Sequence, residues 1–101
     1  MLDLRPTCEH CNKPLPPAST EAMICSFECT FCRDCVEQLY NVCPNCGGGF
    51  TARPIRPVNE WRSGAFLGKH PATRTMTHKP IDLVAHASFA SSLKGVAPED
   101  R

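Results

Sequence analysis

At 101 residues and a formal charge of +1, the chain has room for one small domain. It lacks the strong positive field that sequence-blind nucleic-acid binding needs. No stretch is long or apolar enough to span a bilayer, and the N-terminal Met-Leu-Asp-Leu-Arg-Pro has neither the basic flank nor the apolar run of a secretory signal.

Taken in order, Leu2 and Leu4 alternate with charged residues, the pattern of a short edge strand over residues 1–7. Cys8-Glu-His-Cys11 follows as a tight pair of thiols. Pro14, Pro16 and Pro17 make residues 12–24 irregular or polyproline-like rather than helical. Residues 22–31 are predicted to form a short β-hairpin, with Phe27 and Phe31 as its aromatic supports and Cys29 near its return. Residues 33–40 read as a helix. Val36, Leu39 and Tyr40 share one apolar face, Asp34 complements the dipole in the first turn, and Asn41 suits the end. Cys43-Pro-Asn-Cys46 closes the cysteine-rich half, with glycines after it that let amides approach sulfur. Phe50 is expected to pack back on this half.

The character then changes. Arg53-Pro-Ile-Arg-Pro57 is extended and basic, which places a boundary between a first unit at 1–52 and a linker and tail at 53–101. The tail is expected to be loosely ordered, with one helix at about 80–94. There Pro80 is early, Asp82 is in the first turn, and Gly95 is the stop. Its apolar stripe is Ala85, Phe89, Leu93 and Val96.

All eight cysteines fall before residue 47. A unit of that size buries too little apolar surface to offset the entropy of ordering it, so it needs disulfides or a metal. A chain retained in the cytoplasm keeps its thiols reduced, and paired C-x-x-C spacing then reads as metal binding. Eight thiols fill two four-coordinate sites with none left over, and zinc suits four thiolates. Two ions are expected. Eight thiolates subtract eight charges and two Zn²⁺ restore four, taking the loaded chain from +1 to about −3. The division of the thiols has two forms. A sequential split joins Cys8, Cys11, Cys25 and Cys29, then Cys32, Cys35, Cys43 and Cys46. A crossed split joins Cys8, Cys11, Cys32 and Cys35 as site 1, then Cys25, Cys29, Cys43 and Cys46 as site 2.

The order C-x2-C, C-x3-C-x2-C-x2-C, C-P-x-C resembles the RING finger, as does Thr30-Phe-Cys-Arg-Asp-Cys-Val36. That resemblance implies the crossed split and a RING-like, treble-clef α+β domain. Closer still, Leu4-Arg-Pro-Thr-Cys8, Ile24-Cys-Ser-Phe-Glu-Cys-Thr-Phe-Cys32 and Cys43-Pro-Asn-Cys-Gly-Gly48 are similar to DUF1272, a family of small, mainly bacterial proteins of unknown function. This likeness covers roughly residues 1–57. The chain departs from RING ubiquitin ligases at three places. Cys29 stands where most have histidine, Glu9 and His10 replace the usual apolar residue, and Gly47 replaces the common basic one. Ligase activity is therefore not expected, since fold does not carry function.

Nor is other catalysis. Two filled four-thiolate sites leave no open coordination position, and neither the zinc-deaminase pattern nor a lone reactive C-x-x-C is present. His10 is expected as an exposed loop residue, and His70, His78 and His86 as solvated, because their eight-residue spacing does not keep one helical face. Arg53, Arg56 and Arg62 are read as a solvated linker. Trp61 is placed either against the metal-binding half or on a partner. These readings converge on a non-catalytic zinc module that binds another protein. Nucleic acid is the weaker alternative, no membrane is expected, and the 80–94 helix is a candidate for self-association.

Overall fold

The computed structural model describes residues 1–101. Its elements are β1 (Ala22–Ile24), β2 (Thr30–Cys32), α1 (Arg33–Gln38), β3 (Thr51–Ala52), α2 (Leu83–Ser92) and a 3-10 turn at Pro98–Asp100. The protein is a small α+β unit built on a three-stranded antiparallel sheet of order β2-β1-β3.

The predicted hairpin is present. Met23 pairs with Phe31 across it and Ile24 with Thr30. Its return is closed by Glu28 N–H donating to the Cys25 carbonyl at 3.0 Å and Cys25 N–H to the Cys29 carbonyl at 3.2 Å. Glu28 sits in the left-handed region at φ 66°. The two phenylalanines have opposite fates. Phe31 is fully buried and meets Phe50 edge-on at 5.4 Å, but Phe27 lies on the turn and is 70% exposed. Alternation along β2 carries Phe31 inward, whereas Phe27 belongs to the turn and has no sheet face to join.

Residues 1–7 form no strand. Their only ladder contact is a bridge between Thr7 and Pro14, although Leu4 is buried. Helix α1 is shorter than the apolar spacing suggests, because Tyr40 and Asn41 both turn left-handed at φ 55°. Asn41 N–H then donates to the Val36 carbonyl at 3.1 Å, so the chain reverses at once. Val36, Leu39 and Val42 face inward, and Tyr40, expected among them, points to solvent.

The core cluster has 11 buried residues, of which six are cysteines. It is more thiol than hydrocarbon, so hydrophobic burial alone is a weak source of stability here.

Residues beyond Arg53 pack back on the first half. Thr73 N–H donates to the Leu4 carbonyl at 3.2 Å, and Lys79 N–H to the Glu9 carbonyl at 2.8 Å. Helix α2 starts later than expected, with Asp82 as its N-cap. The Asp82 carboxylate accepts from Val84 and Ala85 N–H, each at 3.1 Å. Its buried residues are His86 and Ala90, while Phe89 keeps much of its surface in water. The stripe read from the sequence is thus one position out of phase. A helix rich in alanine on several sides does not declare its inner face.

Candidate metal centre

The sheet and α1 position the thiols. Cys25 closes β1, Cys32 ends β2, and Cys35 lies in the first turn of α1 directly beneath it. The Cys8–Cys11 loop is held by Cys8 N–H donating to the Lys13 carbonyl, and Asn12 N–H to the Cys8 carbonyl, both at 2.9 Å. It docks on β2 through Glu9 N–H, which donates to the Thr30 carbonyl at 2.9 Å. In return the Glu9 carboxylate accepts from Thr30 N–H and from Arg5 Nη1, the latter at 2.9 Å. Glu9 is buried, and this pairing is what makes its burial tolerable. It is a structural residue that the sequence reading treated only as a departure from RING.

Two groups result. The sulfurs of Cys8, Cys11, Cys32 and Cys35 all lie within 4.8 Å of one another, and so do those of Cys25, Cys43 and Cys46. The first and third pairs share one group, which is the crossed and not the sequential division. Cys29 is outside the mutual spacing of the second group. Its sulfur accepts from Asn45 Nδ2 at 3.4 Å, a contact that nothing in the spacing pattern announces. All eight thiols are free.

Cys11 and Cys32 have sulfurs 3.8 Å apart. A disulfide would need about 2.05 Å. Four thiolates around one ion at about 2.3 Å have tetrahedral edges of about 3.8 Å. The first group therefore has the dimensions of a site for a single four-coordinate ion. An iron–sulfur cluster divides the four thiolates among two or four irons, which spreads the set of sulfurs further than one ion does.

In the ion-free chain burial favours the protonated thiols, so a bound cation would have to displace their protons. Burial pushes the Cys35 and Cys43 thiols far above the ordinary range, and the Cys29 and Cys32 thiols upward as well. At Cys11 burial acts in the same direction but is outweighed. Hydrogen bonds from the Lys13 backbone and the neighbouring thiols bring this thiol below its usual value. Backbone amides already face sulfur, with Phe27 N–H donating to Cys25 and Gly48 N–H to Cys46, each at 3.4 Å. Gly47, at φ 77°, makes the second approach possible.

Comparison with known proteins places the chain in a family. The family described as "Protein of unknown function (DUF1272)" matches over residues 1–56. The chain belongs to the DUF1272 family. A protein of Rhizobium meliloti (strain 1021), described as uncharacterized, is 51% identical over 81 residues, covering 79% of this chain and 89% of the relative. No solved structure matches.

Four residues of this DUF1272 chain depart from their sequence reading. His86 is not solvated. It is 4% exposed, and its Nε2–H donates to the Leu39 carbonyl at 2.9 Å. His10 is not a free loop residue, since its Nδ1 accepts from Ile81 N–H at 2.8 Å. Arg53 is 3% exposed and donates to the carbonyls of Arg5 at 2.9 Å, Leu15 at 3.2 Å and Pro16 at 2.9 Å. Arg56 donates to the carbonyls of His70 at 2.7 Å and Leu2 at 2.8 Å. Both guanidiniums bind the chain itself. No helix is long and apolar enough to cross a membrane.

Proposed function

We propose that this DUF1272 protein is a non-catalytic zinc protein whose two ions are structural and whose surface serves as a protein-interaction module. The metal-binding unit is residues 1–52, with 53–101 as its tail. The carrying observation is the tetrahedral scale of the Cys8, Cys11, Cys32, Cys35 group. Four thiolates complete a four-coordinate ion and leave no position for water or substrate, the signature of a structural site. Cys25, Cys43 and Cys46 with Cys29 hold the second ion. Zinc supplies cross-linking there in place of the missing apolar core.

The nucleic-acid alternative is weakened because Arg53 and Arg56 spend their guanidiniums on internal carbonyls. The deciding experiment is elemental assay and native mass spectrometry of the full chain, followed by circular dichroism under chelation. Two zinc equivalents and loss of the folded spectrum on chelation are expected. A fold and melting curve indifferent to the chelator would refute the proposal. A stoichiometric partner recovered with the loaded chain, and absent from the chelated one, tests the interaction role.

A further inference from the structure

Residues 53–79 contain six of the eleven Lys and Arg residues and one of the ten acids, Glu60. That acid is occupied, since its Oε2 accepts from Gly64 N–H at 2.9 Å. Arg62, Lys69 and Arg74 have no carboxylate partner; the three ion pairs of the molecule involve only Arg5 and Lys13 as cations. Within this basic segment, residues 57–70 form a closed loop. Leu67 N–H donates to the Pro57 carbonyl at 2.8 Å, and Arg56 clamps the far end through the His70 carbonyl. The loop presents Trp61 at 77% exposure and Val58 at 70%. A tryptophan this exposed on a loop closed by hydrogen bonds meets a partner with little ordering cost.

We propose that the 57–70 loop is the docking surface of the interaction module and that its occupant is an acidic segment of another protein. Trp61 and Val58 supply the apolar anchor, and Arg62 and Lys69 pair with carboxylates around it. This deepens, and rests on, the interaction-module reading. Tryptophan and arginine together are the side chains that dominate protein interfaces. Charge complementarity selects an acidic occupant, and the rest of the molecule selects a short one. Outside residues 53–79 the chain has nine acids against five Lys and Arg, before any thiolate is counted. A long nucleic acid or an anionic bilayer would meet that repulsive remainder as well as the loop. Base stacking also favours several aromatic platforms, and the exposed neighbour of Trp61 on the loop is the aliphatic Val58.

The test uses the full-length, zinc-loaded chain against a random peptide display library. Enriched peptides are expected to combine Asp or Glu with an apolar residue. A synthesised representative should shift the fluorescence of Trp61, which is the sole tryptophan. By calorimetry, Trp61→Ala and Arg62→Glu should each weaken that peptide by about tenfold or more, the scale of an interface hot spot. Metal content and melting should stay unchanged, since neither side chain holds the fold. Peptides that bind Trp61→Ala as tightly as wild type would overturn the loop assignment while leaving the module reading standing. A library with no enriched peptide would overturn both. A Trp61 shift produced instead by oligothymidylate, by phosphatidylglycerol vesicles or by raising the protein's own concentration would overturn the acidic-protein occupant.

Discussion

The His86 ring donates from Nε2 to the backbone carbonyl of Leu39 at 2.9 Å, with both residues buried. This one bond ties α2 to the end of α1, where the Leu39 carbonyl follows the last helical residue and also accepts from Val42 N–H at 3.0 Å. His86 also lies against Phe89 edge-on, at 6.0 Å between ring centres. Substituting His86→Ala removes one of the two donors to that carbonyl, the other being Val42 N–H. A loss of about 0.5–1.5 kcal/mol in the docking of α2 is expected. Hydrogen exchange should show it as faster exchange confined to α2, with the sheet and the thiol groups unaffected. Uniform protection across both variants would show that the contact is dispensable.

Removing single thiols tests the crossed division directly. Cys8→Ser and Cys32→Ser should each reduce the bound metal from two ions to about one, and the double variant should lose no more than either alone. Cys25→Ser combined with Cys8→Ser should leave none. Were the sequential division correct, Cys8→Ser with Cys25→Ser would spare an ion, and native mass spectrometry would display it.

Acidification should strip the metal. A thiol raised by burial, as Cys29, Cys32, Cys35 and Cys43 are, holds its proton at neutral pH in the ion-free fold. By itself such a group favours that fold below the ordinary thiol range and weakens it above. Metal binding reverses the sign, because each bound thiol must release its proton. Affinity therefore rises with pH and falls as pH falls, by up to about tenfold per pH unit for each proton displaced. Competition against a chromophoric chelator between neutral and mildly acidic pH reads this slope. A flat profile would mean that the thiols are not the ligands.

Arg53 is predicted to be among the costliest single positions outside the cysteines. Its guanidinium serves three carbonyls, those of Arg5, Leu15 and Pro16, of which Pro16 also accepts from Ser19 N–H at 2.8 Å. Burial lowers its pKa from the usual value, yet a guanidinium stays charged throughout the working range. Arg53→Ala should cost roughly 2–4 kcal/mol. Arg53→Lys should recover little of it, because an ammonium cannot span the same fork. Chemical unfolding of the zinc-loaded variants measures both, and full rescue by lysine would disprove the bidentate role.

The parts legible in the chain were those whose cause is local. Cysteine pairs three positions apart are spaced to share an ion, so candidate metal-binding thiols could be anticipated, and with them the hairpin from Ala22 to Cys32 and the short helix after it. Phe31 and the packing of Phe50 were legible too, whereas Phe27, read beside Phe31 as a second support, lies on the turn and stays exposed. Tyr40 was misread because two consecutive left-handed residues end α1, and apolar spacing has no term for that.

Local pattern could not reveal what lies underneath the returning tail. Arg53, Arg56, His10 and His86 are polar residues in polar-looking stretches, and their ordinary fate is water. Each is instead tied to a distant stretch of backbone: Arg53 to the carbonyls of Arg5, Leu15 and Pro16, Arg56 to those of Leu2 and His70, His10 to Ile81 N–H, and His86 to the Leu39 carbonyl. Composition and spacing thus sufficed to mark the thiols as candidate metal ligands, since each C-x-x-C pair is local, while which pairs come together depended on the fold. The partners of the arginines and histidines depended on contacts up to 71 residues apart along the chain, as between His10 and Ile81. Only folding brings such groups within reach of each other.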